Sequence, residues 1–136
     1  MWRFAMRYVP LVGRILYSLI FLMSGLTVHF SAQGVQFAEA HGVPAASVLV
    51  PLSGILEILG ALSIILGYRA KLGAWLLVLF LVPVTFTMHA FWAVTDPMQQ
   101  SIQMSMFLKN LALLGGALLI AYHGAGPLSL DERKQA

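Results

Sequence analysis

Residues 46–67 read ASVLVPLSGILEILGALSIILG, an apolar run whose one ionisable member is Glu57. A helix of about 20 mostly apolar residues crosses the hydrocarbon core of a bilayer. This stretch therefore reads as a membrane span carrying a lone acid near its middle. At 1.5 Å rise per residue, Glu57 lies roughly 15 Å from either interface. That is too deep for a short side chain to reach water, so the carboxyl must be protonated, paired, or turned to a wet cavity. Ser53, Gly54, Gly60 and Ala61 share its face. Small residues there permit close approach of another helix.

Three more spans follow from the same test: about 9–28, 72–92 and 104–122. Across the whole 136 residues, 60% are apolar and 10% are charged. Soluble domains carry about 25% charged residues, and a small domain buries only about two thirds of its surface. A water-soluble enzyme, a disordered tail and a nucleic-acid binder are thus excluded. The net charge of +3 makes no basic face, because the eight Lys and Arg are scattered among apolar runs. Residues 1–136 read as a single domain, an all-α, four-transmembrane-helix antiparallel bundle of left-handed type. The first span is longer than a signal core and no small-x-small site follows His29, so it reads as a retained anchor.

Charge sets the expected orientation. Arg3, Arg7, Arg14, Arg69, Lys71, Arg133 and Lys134 fall on one side, and Lys109 alone on the other. The positive-inside rule then places both termini in the cytoplasm of a bacterial inner membrane. Trp2, Tyr8, Tyr68, Trp75 and Tyr122 mark the inner interface, Phe91 and Trp92 the outer. Residues 68–71 form a tight connection. Residues 31–41 are expected to form a short interfacial helix ended by Gly42 and Pro44. Asp96-Pro97 is an N-cap followed by proline at the first helical position, so the fourth helix is expected to begin there.

The candidate site residues are the other polar groups at membrane depth. Lys109 and Asn110 lie in span four, His89 near the outer end of span three, and Arg14 one turn inside the inner surface. Helical side chains lean toward the helix N-terminus, which sends Glu57 and Lys109 outward. An outer-half cluster of Glu57, Lys109, Asn110 and His89 is expected, with an Arg14–Glu57 pair as the competing arrangement. Glu57 is the proton or ion-pair candidate, and Lys109, Asn110, His89 and Arg14 are the ligand-binding candidates. A register-fixing ion pair, and for Arg14 a snorkelling anchor, are the structural alternatives. His29, His41 and His123 read as interfacial residues. Cysteine is absent, so thiolate chemistry and Cys-ligated iron–sulfur centres are excluded, and the histidine spacing argues for neither metal nor haem.

Over about residues 8–131 the chain resembles the DoxX family of small four-helix membrane proteins. The likeness rests on Gly13-Arg14, Phe21 and Ser24-Gly25, then Glu57, Gly60 and Leu66-Gly67-Tyr68-Arg69. It continues with His89, Phe91, Met106-Phe107-Leu108-Lys109-Asn110, Gly115-Gly116 and Gly126-Pro127-Leu128-Ser129-Leu130-Asp131. Where many members have a lysine just after the span-one glycine, this chain has Thr27-Val28-His29. The resemblance implies a membrane protein tied to redox complexes: some members are subunits of a thiosulfate:quinone oxidoreductase. Others scaffold an oxidoreductase complex with a superoxide dismutase and a sulfurtransferase. The leading expectation is therefore a membrane subunit of a quinone-linked oxidoreductase, with quinone in an apolar slot beside the polar cluster and electrons from a partner enzyme. A non-catalytic scaffold recruiting redox enzymes is the alternative, and a proton-coupled small-molecule exporter a third reading. A homo-oligomer is left open.

Overall fold

The computed structural model describes residues 1–135. A short helix α1 (Trp2–Met6) runs through a helical Arg7 into α2 (Tyr8–Thr27). Helix α3 (Ala32–Ala40) precedes α4 (Ala46–Leu66) and α5 (Ala70–Met88). A single 3-10 turn at Phe91–Ala93 leads into α6 (Pro97–His123), and α7 (Leu130–Gln135) closes the chain. Among the described residues, four helical stretches are long and apolar enough to cross a membrane: Trp2–Thr27, Ala46–Leu66, Ala70–Ala93 and Pro97–His123. All secondary structure among these residues is helical, as the hydropathy pattern predicts.

The expected punctuation is present. Ser31 caps α3 by accepting from the Gly34 N–H at 3.0 Å, and Asp96 caps α6 by accepting from the Gln99 N–H at 3.0 Å. These caps satisfy amide donors that a helix start leaves unpaired. Within the third span α5 itself ends at Met88, and the 3-10 turn at Phe91–Ala93 completes the stretch. Between α4 and α5 the Gly67 N–H bonds to Ile64 O at 3.2 Å and the Tyr68 N–H to Ser63 O at 3.0 Å. That is a Schellman motif, and it needs the left-handed φ of +64° that Gly67 adopts.

Helix α4 lies between α2 and α5, α5 lies against α6, and α3 rests on α4. Small residues fill the interior. Ala61, Ala70, Ala74 and Ala117 are fully buried, whereas Leu16, Leu59, Leu72, Leu79 and Leu119 are exposed on the outside. In lipid, leucine gains nothing by moving inward, so helix association depends on close backbone contact and interhelical hydrogen bonds. Gly60 and Gly73 supply such a contact between α4 and α5: a Cβ on Gly60 would stand 3.0 Å from the Gly73 carbonyl oxygen. Phe21, Ile64, Leu77, Phe80 and Leu81 complete the core. Helices α2 and α6 meet through Tyr17, whose ring lies on Gly116 and whose hydroxyl donates to the Leu113 carbonyl.

Candidate functional site

Helix α2 presents Arg14, Ser18, Phe21 and Gly25 inward, one residue per turn. At its far end Gly25 lets α4 come close: a Cβ there would sit 2.8 Å from Ile58 Cγ1 and 3.0 Å from the Gly54 carbonyl oxygen. The chain leaves the helix at Val28 and turns His29 back into the bundle. Gly54 makes the room, because a Cβ on it would stand only 2.5 Å from His29 Cβ. One turn along α4, Glu57 is 2% exposed, and its Oε2 lies 2.8 Å from His29 Nδ1. The buried base that meets the mid-membrane acid is therefore His29.

The contact is close but unsaturated. His29 Nδ1 also faces the Ser24 carbonyl at 3.2 Å and the Ser24 hydroxyl at 3.5 Å. A single Nδ1 carries at most one proton, so the two acceptors compete for it. No donor is well aligned on Glu57 Oε2 among the described residues. The Phe80 ring stands edge-on to the imidazole, with centroids 5.6 Å apart. The pair is thus shielded on one side by an aromatic wall.

His29 also borders a cavity of about 550 Å³ between α3, α4 and α5, and Phe80 lines the same cavity. Phe37, Val50, Leu52, Leu56, Leu79, Pro83 and Met88 line it, with Ser53 and Thr87 as further polar members. Ser53 Oγ is already committed to the Val50 carbonyl at 2.7 Å. Leu52, Leu79 and Thr87 are exposed, so the cavity opens sideways between α4 and α5 at membrane depth. Helix α3 roofs it through Gly34, Phe37 and Ala38. Glu57 does not line the cavity; His29 stands between the two.

The other sequence candidates lie elsewhere. Lys109 is exposed, and its Nζ reaches Met106 Sδ at 3.5 Å rather than a carboxylate. Asn110, about 100° further round the helix, is the buried one of the two. His89 pairs through Nδ1 with Gln103 Oε1 at 2.9 Å, bracing the end of α5 on α6. Among the described residues no hydrogen bond or ion pair joins Lys109, Asn110 or His89 to Glu57, because α6 turns Asn110 inward and Lys109 outward.

Arg14 is corrected too. It neither snorkels nor meets Glu57, but is 4% exposed at the end of the bundle that carries both termini. Its guanidinium donates to Pro10 O, Ile64 O and Ile65 O at 3.4 to 3.5 Å, and to Pro127 O and Leu128 O at 3.4 and 2.7 Å. Beside it Asp131 accepts from the Arg69 and Ala70 N–H groups at 2.7 and 3.0 Å, capping α5. Ser129 caps α7 through the Glu132 N–H at 3.1 Å. The segment 126–131 is thus a clamp that ties α7 to the α4–α5 turn.

Residues 9–90 match the family described as DoxX. The chain belongs to the DoxX family. This DoxX protein is 34% identical over 124 residues to inner membrane protein YqjF of Escherichia coli, covering 89% of this chain and 88% of YqjF. It is 29% identical to inner membrane protein YphA of the same organism, covering 90% and 88%. It is also 30% identical to a Surfeit locus protein 4 homolog of Schizosaccharomyces pombe, covering 94% of this chain but 38% of that protein. No solved structure matches the chain. A multi-pass location in the inner membrane, read from the sequence, agrees with YqjF and YphA.

The sequence reading missed His29 by placing it at the interface. The signal was present in the order Gly25-Leu26-Thr27-Val28-His29. A basic residue one turn past Gly25 is at the right level to reach Glu57.

Proposed function

We propose that this DoxX protein is the membrane subunit of a quinone-linked redox system, with the quinone head at His29 rather than at Lys109 and Asn110. One observation carries the reading: a buried imidazole stands between an apolar, laterally open cavity and a mid-membrane carboxyl. A cavity of about 550 Å³ lies within the range of small-molecule sites, roughly 300–1,000 Å³. The apolar walls suit a ring and isoprenoid tail, and the His29 contacts to Glu57 and Ser24 run through Nδ1, leaving Nε2 for a carbonyl. When bound, a quinone supplies a two-electron, two-proton acceptor; the electrons come from a partner enzyme, since the chain has no cysteine-ligated centre.

The residues of this chain handle the proton. With Glu57 ionised and His29 protonated on both ring nitrogens, the Nδ1–H faces the carboxylate and the Ser24 carbonyl, and the Nε2–H is free for a ligand. His29 gives up the Nε2 proton to the ligand and is left neutral, with its Nδ1–H on the Glu57 carboxylate, and a proton returning from solvent through the cavity restores the pair before the second transfer. Phe80, which also lines the cavity, packs edge-on against the imidazole and holds it in place. Seven of the eight Lys and Arg lie toward the end carrying the termini, and we take that end as cytoplasmic. The cavity then faces the outer leaflet.

The test is retention of a ubiquinone analogue by detergent-purified protein. Wild type and Lys109→Ala are expected to retain it, and His29→Ala to lose about tenfold in affinity, the value of one good hydrogen bond. Equal retention by wild type and His29→Ala overturns the proposal. Co-purification of soluble redox enzymes with a protein that binds no quinone supports the scaffold reading instead.

A further inference from the structure

At the opposite end of the bundle a second cavity, of about 810 Å³, lies between the α4–α5 turn, the end of α6 and α7. Arg69, Lys71, His123 and Lys134 line it together with Asp131 and Glu132. The acids are engaged elsewhere. Both Asp131 oxygens accept backbone N–H groups of α5, and Glu132 Oε2 accepts from the Leu128 N–H at 2.9 Å and lies 3.9 Å from Arg7. The cations are not: among the described residues none of Arg69, Lys71 and Lys134 has a carboxylate within 4.0 Å. Lys134 Nζ lies 4.4 Å from the centroid of the Tyr68 ring, and the Lys71 stem crosses Gly124.

We propose that this groove binds a phosphate-bearing anion, and that its source is the headgroup of an anionic lipid. Three cation-bearing residues line one concave space, Arg69 and Lys134 beside the Tyr68 ring, and its carboxylates already accept backbone N–H groups, so the unfilled demand is for an anion with several acceptor oxygens. The depth selects the lipid. Lys71 is in the first turn of α5 and His123 is the last residue of α6, so the groove lies at the level where two spans leave the bilayer. Leu72 also lines the groove and is exposed, giving an acyl chain an apolar exit beside the charged one. Exposed Trp75 and Tyr122 lie at the same level, as interfacial aromatics do.

The site is tested on full-length protein stripped of lipid in a neutral detergent, then titrated with phosphatidylglycerol, phosphatidylcholine or inorganic phosphate and read by native mass spectrometry. Phosphatidylglycerol is expected to be retained over phosphatidylcholine. The double variant Lys71→Gln/Lys134→Gln is expected to lose that preference by about tenfold or more. Arg3→Gln/Lys109→Gln removes the same charge outside the groove and is expected to retain it. Equal binding of the two lipids, or an equal loss in the control variant, overturns the site. Inorganic phosphate that binds wild type and displaces phosphatidylglycerol, but fails to bind the double variant, assigns the site to free phosphate and overturns the lipid source. Circular dichroism checks the fold, and Lys134→Gln alone serves where the double variant does not fold.

Discussion

Arg14 and Glu57 are both charged residue types buried on inward faces of spans, yet their surroundings differ. The Arg14 guanidinium donates to five backbone carbonyls drawn from three parts of the chain. Glu57 has one histidine, and an oxygen with no aligned donor. A fully satisfied polar group fixes structure, because every alternative arrangement leaves something unpaired. A partly satisfied one beside a cavity is poised to change partners. The end carrying the termini is therefore the architectural end of the molecule, and the end carrying His29 the chemical one.

The sharpest way to break that contrast is Arg14→Ala. It strands the carbonyls at the end of α4 and in residues 127–128, and the expected loss is about 3 kcal/mol, typical of breaking a buried charged network. Thermal unfolding in detergent checks it, and a shift in Tm no greater than a surface substitution gives removes Arg14 from the architecture. Arg14→Lys is expected to recover only part, since an ammonium has no planar fork with which to reach carbonyls on both sides.

Next comes Gly54→Ala. The added Cβ meets His29, which must withdraw from Glu57, and a loss of about 2 kcal/mol is expected together with loss of quinone retention. If stability falls while quinone is held as in wild type, the His29 placement is not what binds the ligand.

Asp131→Ala probes the clamp more gently. It removes the cap of α5, at about 1 kcal/mol, with quinone retention unchanged. Loss of retention there breaks the division between the two ends.

The smallest stability change is expected from Glu57→Gln. An amide is neutral and nearly isosteric, so unfolding is expected to move by less than about 1 kcal/mol while proton-coupled quinone reduction with the partner enzyme is lost. A large drop in Tm in this variant makes the His29–Glu57 contact a structural lock.

Much of the fold is legible before any coordinates are known. Apolar length alone marks the four spans, and Ser31 and Asp96 announce their helices because a side-chain oxygen satisfies amides only a few residues away. Those are local interactions, and local spacing reports them. The site is different. Glu57 stands out by depth, but its partner is 28 residues back in the chain, beyond a helix end. Lys109 looked the better partner by lean and depth. Only the rotation of α6 about its axis, which sends Asn110 in and Lys109 out, excludes it. Arg14 likewise read as an anchor at the interface, because the carbonyls it binds belong to segments that only folding brings together.

The order of residues by itself determined that this chain crosses a bilayer four times and carries an acid that cannot remain alone at mid-depth, because transfer of each residue into hydrocarbon depends on what that residue is. Which base meets the acid was decided by tertiary structure. Gly25 and Gly54 allow α2 and α4 to approach until a histidine just past one helix lies on the backbone of the other, and that approach is a property of two surfaces in contact.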